Sequence, residues 1–129
     1  MYSFDQVKIL IVDDEELLRE VLSETFAMYG AIVDSAGSGN QAFEKVKENR
    51  YDVVITDIRM PDGDGISLLK NINKLDKPHP KLFVSSAYSD LTPEKIRDLG
   101  ILKVFVKPFD LSDLLGGVAA LVAEKKYNI

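Results

Sequence analysis

Asp52-Val53-Val54-Ile55-Thr56-Asp57-Ile58-Arg59-Met60-Pro61-Asp62-Gly63-Asp64-Gly65 is the stretch that decides the fold. Asp52–Asp57 is a nearly unbroken apolar run rich in β-branched residues, the pattern of a strand buried on both faces. Proline, glycine and aspartate then follow, which is turn chemistry. A strand covered on both sides and ending on a carboxylate points to a parallel sheet with helices packed over it.

Further strand candidates are Lys8–Val12, Ile32–Ala36, Lys81–Ser86 and Lys103–Lys107, most of them of the same kind. Helical spacing fills the intervals. Leu18, Val21, Leu22 and Thr25 share one face, and Gly30 supplies a stop. Ala42 with Val46, and Ile66 with Leu69 and Ile72, carry the next two helices. Thr92-Pro93 reads as an N-cap followed by proline at the first helical position. Leu111, Leu114, Leu115, Val118 and Val122 form the stripe of the last helix. Five βα units in a row predict an α/β fold: a five-stranded parallel sheet, doubly wound, with residues 1–129 as a single domain. Gly116-Gly117 falls mid-helix, at about 1 kcal/mol per glycine relative to alanine, so the last helix is expected to be the least stable.

Composition excludes several classes of function. The net charge of −5 argues against direct binding of nucleic acid. The absence of cysteine removes disulfides, thiol nucleophiles and thiolate metal sites. The apolar runs are too short to span a bilayer, and Met1–Gln6 lacks the basic start and apolar stretch of a signal peptide. A cytoplasmic protein with no membrane contact is expected.

In doubly wound sheets, ligands sit beyond the C-terminal strand ends. Asp13, Asp14, Glu15 and Glu16 follow the first strand, Asp57 ends the third, Ser85-Ser86-Ala87 the fourth and Lys107-Pro108 the fifth. Each has an ordinary structural explanation, and Asp13 with Glu16 fits a capping box. The conjunction has none. Two carboxylates about 5 Å apart repel by roughly 3 kcal/mol at an effective dielectric near 20. Such a cluster binds protons or a hard cation, and Mg²⁺ takes one or two carboxylates, waters and a phosphate oxygen. Lys107 is then a point charge for a phosphoryl oxygen and Ser86 a hydrogen-bond donor to another.

Val12-Asp13-Asp14-Glu15, Asp57-Ile58-Arg59-Met60-Pro61 with Gly65, Ser86-Ala87 and Lys107-Pro108-Phe109 stand in this order at those strand ends. From end to end the chain resembles the response regulator receiver domain family. The resemblance implies a flavodoxin-like sheet in the order 2-1-3-4-5. It implies that Asp57 is the phosphoacceptor, that Lys107 binds the phosphoryl group and that Ser86 is the switch hydroxyl. Asp13, Asp14, Asp57 and the Arg59 backbone carbonyl become ligands of Mg²⁺ or Mn²⁺, and a cis peptide is implied before Pro108. Phosphodonors would be a sensor histidine kinase, a histidine phosphotransfer protein or a small acyl phosphate. Output would pass to a protein target through helix 4, strand 5 and helix 5. The chain would be a regulatory domain and not an enzyme, helping only its own phosphorylation and dephosphorylation.

One position departs from the family's pattern. Val104 stands where an aromatic residue is usual, three positions before Lys107. Phe105 would replace it only through a bulge, because side chains alternate along a strand. Tyr88 is the remaining aromatic candidate, and Arg59 and Tyr88 are expected to shield the phosphoryl group from water.

Two rival readings are weaker. Gly37-Ser38-Gly39-Asn40-Gln41-Ala42 follows a strand and opens a helix, as a dinucleotide-binding loop does, with Asp57 as a possible ribose acid. That reading leaves Asp13, Asp14 and Lys107 without a role. A haloacid-dehalogenase-like phosphatase needs a second acid two residues after the nucleophile, where this chain has Arg59.

Overall fold

The computed structural model describes residues 2–87 and 91–127, the last five as backbone. Strands and helices alternate as β1 (Lys8–Val12), α1 (Glu16–Met28), β2 (Ile32–Ala36), α2 (Gly39–Glu48), β3 (Val53–Thr56), α3 (Gly65–Asn73), β4 (Lys81–Ser86), α4 (Pro93–Asp98), β5 (Ile101–Val106) and α5 (Leu111–Tyr127). The five strands are parallel and run in the order β2-β1-β3-β4-β5. This is the doubly wound, flavodoxin-like sheet expected from the sequence.

Strand alternation divides the core into two layers. Leu10, Val12, Val54 and Val84 point toward Val46, Leu69 and Ile72 of α2 and α3. Ile9, Ile11, Ile55 and Phe83 point the other way, onto Leu22 and Phe26 of α1 and Leu114 and Val118 of α5. Burial on both faces explains why these strands read as unbroken apolar runs. Val21 and Leu111, placed in the apolar stripes from sequence, lie at their edges and remain 45% and 38% exposed.

The limits of two strands, β3 and β5, move at both ends. β3 loses Asp52 and Asp57 from the strand proper, although the Asp52 and Asp57 amides still bond to Lys8 and Val12 of β1 at 2.8 and 2.9 Å. β5 begins at Ile101, two residues before its expected start, directly after Gly100 turns the chain at φ +71°. The pairing of β5 skips Leu102: Leu82 faces Ile101, while the next residue, Phe83, faces Lys103. That bulge shifts the side-chain alternation and hides the true start of the strand.

The glycines of α5 are seats for aromatic rings. A Cβ on Gly117 would lie 2.8 Å from Phe105 Cζ, and Gly116 faces the Tyr2 ring. Tyr2 also donates a hydrogen bond to the Ser112 carbonyl at 3.2 Å. α4 is six residues long and buries none of them fully, although Thr92 caps it as expected by accepting from the Lys95 amide. Local opening follows burial more closely than propensity. Amide exchange is therefore expected to be faster in α4 than in α5, which reverses the ranking read from Gly116-Gly117. Faster exchange in α5 would restore the original ranking.

Tyr51 carries a second expectation. Its hydroxyl donates to Asp34 Oδ2 at 2.7 Å, and Lys8 Nζ sits over its ring. Burial, then the hydrogen bond to Asp34 and that carboxylate's charge, push its pKa above the ordinary value near 10. Above pH 10 the unfolded chain loses this proton while the native state keeps it. Stability should then fall with rising pH by about 1.4 kcal/mol per pH unit for this one proton. Denaturant melts of wild type and Tyr51→Phe should diverge above pH 10, the difference in slope approaching that amount as pH rises; parallel curves would refute the assignment.

Candidate functional site

The parallel register brings four strand ends to one edge. Val12 pairs with Thr56, Thr56 with Val84 and Ser86 with Val106, so the residues that follow stand side by side. The Asp57 amide bonds to Val12 at 2.9 Å and the Lys107 amide to Ser86 at 2.7 Å, which extends the ladder one step into the site.

Lys107 Nζ lies 2.9 Å from Asp13 Oδ2 and 3.4 Å from Asp57 Oδ2. Asp57 Oδ1 accepts the Ile58 amide at 2.7 Å. Asp13, Asp14 and Asp57 each offer a carboxylate oxygen within 4.8 Å of the others. Asp13 and Asp57 are buried and Asp14 is exposed, so the cluster opens to solvent on one side. Asp14, Asp57, Arg59, Ser86 and Lys107 line a common cavity of about 240 Å³ with Glu15 and Ala87. The structure therefore brings together all six residues singled out from sequence. The Lys107–Pro108 peptide is cis, as the resemblance implied.

Asp13 does not cap α1. The N-cap position belongs to Glu15, which makes no side-chain cap bond. Asp13 Oδ1 instead accepts the Glu15 amide at 2.9 Å in a local turn, leaving Oδ2 for Lys107. The capping-box reading is thereby corrected: the turn consumes the residues between strand and helix, and the helix starts too late for Asp13 to cap it.

Burial raises the Asp57 pKa; Lys107 and the Ile58 amide pull against this, and Asp13 adds to it. Burial likewise disfavours charge on Lys107, but the Asp13 hydrogen bond and the charges of Asp13 and Asp57 prevail and raise its pKa. Lys107 thus bridges Asp13 and Asp57, while Asp14 completes the carboxylate cluster on its exposed side. The donor set is all oxygen and suits a hard cation.

Sequence reasoning missed several supports. Arg19 donates to the Asp13 carbonyl at 2.8 Å and passes close to Gly37. The Thr56 hydroxyl donates to the Asp57 carbonyl at 2.8 Å. Neither leaves a signature, because each acts on backbone. The glycine run at the start of α2 is also reassigned. The Gly39 amide donates to Gly63 O and the Asn40 amide to Asp62 O. The Gln41 amide donates to Ser38 Oγ. The helix start that a dinucleotide phosphate would need is already occupied by the chain's own loop. Tyr88, the aromatic candidate near the site, lies outside the described residues. Val104 packs against the core on the α2–α3 face, while Phe105 is buried on the other, beside Phe83 and Phe109. The bulge falls at Leu102, before both residues, and does not exchange their faces.

Together these features define a doubly wound α/β protein with an acidic, lysine-closed pocket at the C-terminal edge of its sheet. Residues 9–119 match the response regulator receiver domain family. Sporulation initiation phosphotransferase F of Bacillus subtilis is 36% identical over 112 residues, covering 86% of this chain and 90% of that protein. Transcriptional regulatory protein ZraR of Escherichia coli is 36% identical over 85% of this chain, which spans 25% of that protein. Among solved structures, response regulator TrrA of Thermotoga maritima, in complex with Mg²⁺–BeF, superposes with a TM-score of 0.79 at 33% identity, covering 90% of this chain and 99% of that one. Chemotaxis response regulator CheY4 of Vibrio cholerae gives 0.80 at 27% identity, covering 89% and 98%. The chain belongs to the response regulator receiver domain family, the phosphoacceptor switches of two-component signalling.

Proposed function

We propose that Asp57 is the phosphoacceptor of this receiver domain and that Asp13, Asp14, Asp57 and the Arg59 carbonyl hold Mg²⁺ or Mn²⁺ beside it. The observation that carries the reading is the convergence of three carboxylates within 4.8 Å, with Lys107 at 2.9 and 3.4 Å from two of them. TrrA, solved with Mg²⁺–BeF, supports the cation. When bound, the cation neutralises the carboxylates and the incoming phosphoryl oxygens. Asp57 supplies the nucleophilic oxygen: its O–P bond forms as the donor's P–N or P–O bond breaks, and the bonding electrons leave with the donor. Lys107 offers its charge to a phosphoryl oxygen, and Ser86 its hydroxyl to another.

The donor is a histidine kinase, a histidine phosphotransfer protein or an acyl phosphate. An apolar groove of about 520 Å³, lined by Leu18, Val21, Pro108, Phe109 and Leu111, shares Glu15, Ala87 and Lys107 with the acidic cavity. Its continuity with the acceptor supports a role for it in docking the donor protein. Output passes to a protein target through α4, β5 and α5, from a single domain spanning residues 1–129 that is cytoplasmic, regulatory and without catalysis on other substrates. No helix among the described residues is long and apolar enough to cross a membrane.

Incubation with acetyl phosphate and Mg²⁺ should add the mass of one phosphoryl group, and EDTA should prevent it. A mass gain that EDTA leaves intact would refute the metal-dependent reading.

Mg²⁺ should also stabilise the fold, by about 2.7 kcal/mol at a hundredfold excess over Kd. Asp14→Ala removes a carboxylate that makes no cap, so the metal-free variant should melt at or above metal-free wild type and gain less from Mg²⁺. A clearly lower metal-free melting temperature would assign Asp14 a structural role instead.

A further inference from the structure

We propose that Asn40, at the start of α2, is a positioning residue for cation binding, holding the Ile58–Gly65 loop and with it the Arg59 carbonyl at the acidic pocket. This rests on the proposed metal site.

The loop is closed at its base and pinned at its far end. At the base, Gly65 N donates to Ile58 O at 2.7 Å, and Ile58 N to Asp57 Oδ1 at 2.7 Å. At the far end, Gly39 N donates to Gly63 O at 2.8 Å and Asn40 N to Asp62 O at 3.2 Å. Asn40 Nδ2 adds a bond to Asp62 Oδ1 at 3.0 Å. The two backbones approach so closely that a Cβ on Gly39 would lie 2.4 Å from Gly63 O, and one on Gly63 would lie 2.7 Å from Asn40 N. Asp62 and Gly63 both take positive φ, 58° and 96°, to present their carbonyls to α2. Two glycine-containing segments, 37–39 and 63–65, are therefore the halves of one latch.

A carbonyl ligand contributes to affinity when it is already in place, because ordering a loop on binding costs conformational entropy. Partners that orient ligands typically change metal affinity by about 10- to 100-fold when removed. Asn40 contacts Asp62 and Gly63, and none of the three lines the acidic cavity, so its effect on the cation passes through loop geometry. The electrostatic alternative predicts the opposite sign. Asn40→Asp adds negative charge and, by charge alone, would tighten Mg²⁺ binding. By positioning it would weaken it, since it sets one carboxylate against that of Asp62.

The test measures the Mg²⁺ Kd of the full chain by calorimetry well below the melting temperature. It also follows amide exchange across 58–65 in the metal-free protein. Asn40→Asp should weaken Mg²⁺ about 10-fold and speed loop exchange. Adding Asp62→Asn to it restores one donor and one acceptor in reverse and should return both readouts toward wild type. Asn40→Ala, a milder change, should shift both in the same direction as Asn40→Asp. Unchanged Kd in Asn40→Asp and Asn40→Ala, with wild type binding Mg²⁺ normally, would overturn the inference while leaving the metal site intact. Tighter binding by Asn40→Asp would assign the effect to charge and overturn it also. Failure of wild type to bind Mg²⁺ would overturn the metal site and the inference together.

Discussion

Asp57→Asn should take up no phosphoryl group from acetyl phosphate under conditions that label the wild type. The amide has no nucleophilic carboxylate oxygen, yet its carbonyl can still accept the Ile58 N–H that Asp57 Oδ1 accepts at 2.7 Å. Lys107 keeps its 2.9 Å bond to Asp13. The variant should therefore fold, and its defect should be chemical. Stability sharpens the case. A carboxyl group whose pKa burial has raised favours the native state when protonated, and this contribution is lost as pH rises through the raised value. At neutral pH the charged group is a net cost, and a neutral amide removes it. Metal-free Asp57→Asn should then melt at or above metal-free wild type while accepting nothing. Mass spectrometry and a thermal melt on the same sample decide the matter. Labelling of the variant at the wild-type rate would move the acceptor to another residue.

Gly65→Ala should be the most destabilising glycine substitution. A Cβ there would lie 2.1 Å from the Asp57 carbonyl oxygen and 2.9 Å from Ile58 Cα. Both are backbone atoms, so no side chain can swing aside. Overpacking typically costs about 1–3 kcal/mol, occasionally more, and a backbone clash belongs at the upper end. For a domain of this size, ~3 kcal/mol lowers the melting temperature by roughly 10 °C. The displaced carbonyl also accepts the Thr56 hydroxyl, so Asp57 itself moves. Gly116→Ala is the counterpart: its Cβ would meet only Tyr2 ring atoms at 3.5 Å, ordinary contact. In a helix interior alanine should gain about 0.5–1 kcal/mol. Melts of both variants in EDTA should move in opposite directions. Equal melting temperatures would show that the loop after β3 yields more easily than its geometry indicates.

The sheet was legible because β1, β3 and β4 are buried on both faces and write themselves as apolar runs, and β1, β2 and β4 keep their expected limits. The charged side chains of the site were legible for a related reason. A carboxylate or ammonium after a buried strand stands out against its surroundings, and Asp13, Asp14, Asp57 and Lys107 do so. What escaped acts through backbone. The bulge at Leu102 obscured the start of β5, since an extra residue breaks the alternation that marks a strand. The Gly39–Gly63 contact was hidden because hydrogen bonds between main chains of distant segments leave only glycine as a trace. Glycine before a helix fits several motifs equally well. At Gly117 propensity is only part of the account, because a Cβ there would lie 2.8 Å from the Phe105 ring, and nothing in the sequence marks that contact.

The irregularity in β5 has one more consequence. β5 is a border strand of the sheet, bonded among the described residues to β4 alone, and such borders invite a strand from another molecule. At Leu102 the row of peptide groups loses its even spacing, and the neighbouring Lys103 folds its ammonium over the Phe105 ring 5.3 Å away. An incoming strand would meet a break in the ladder and a charge beside it. Both features are devices that disfavour edge-to-edge pairing, on a strand that leaves Leu102 and Val106 about half exposed.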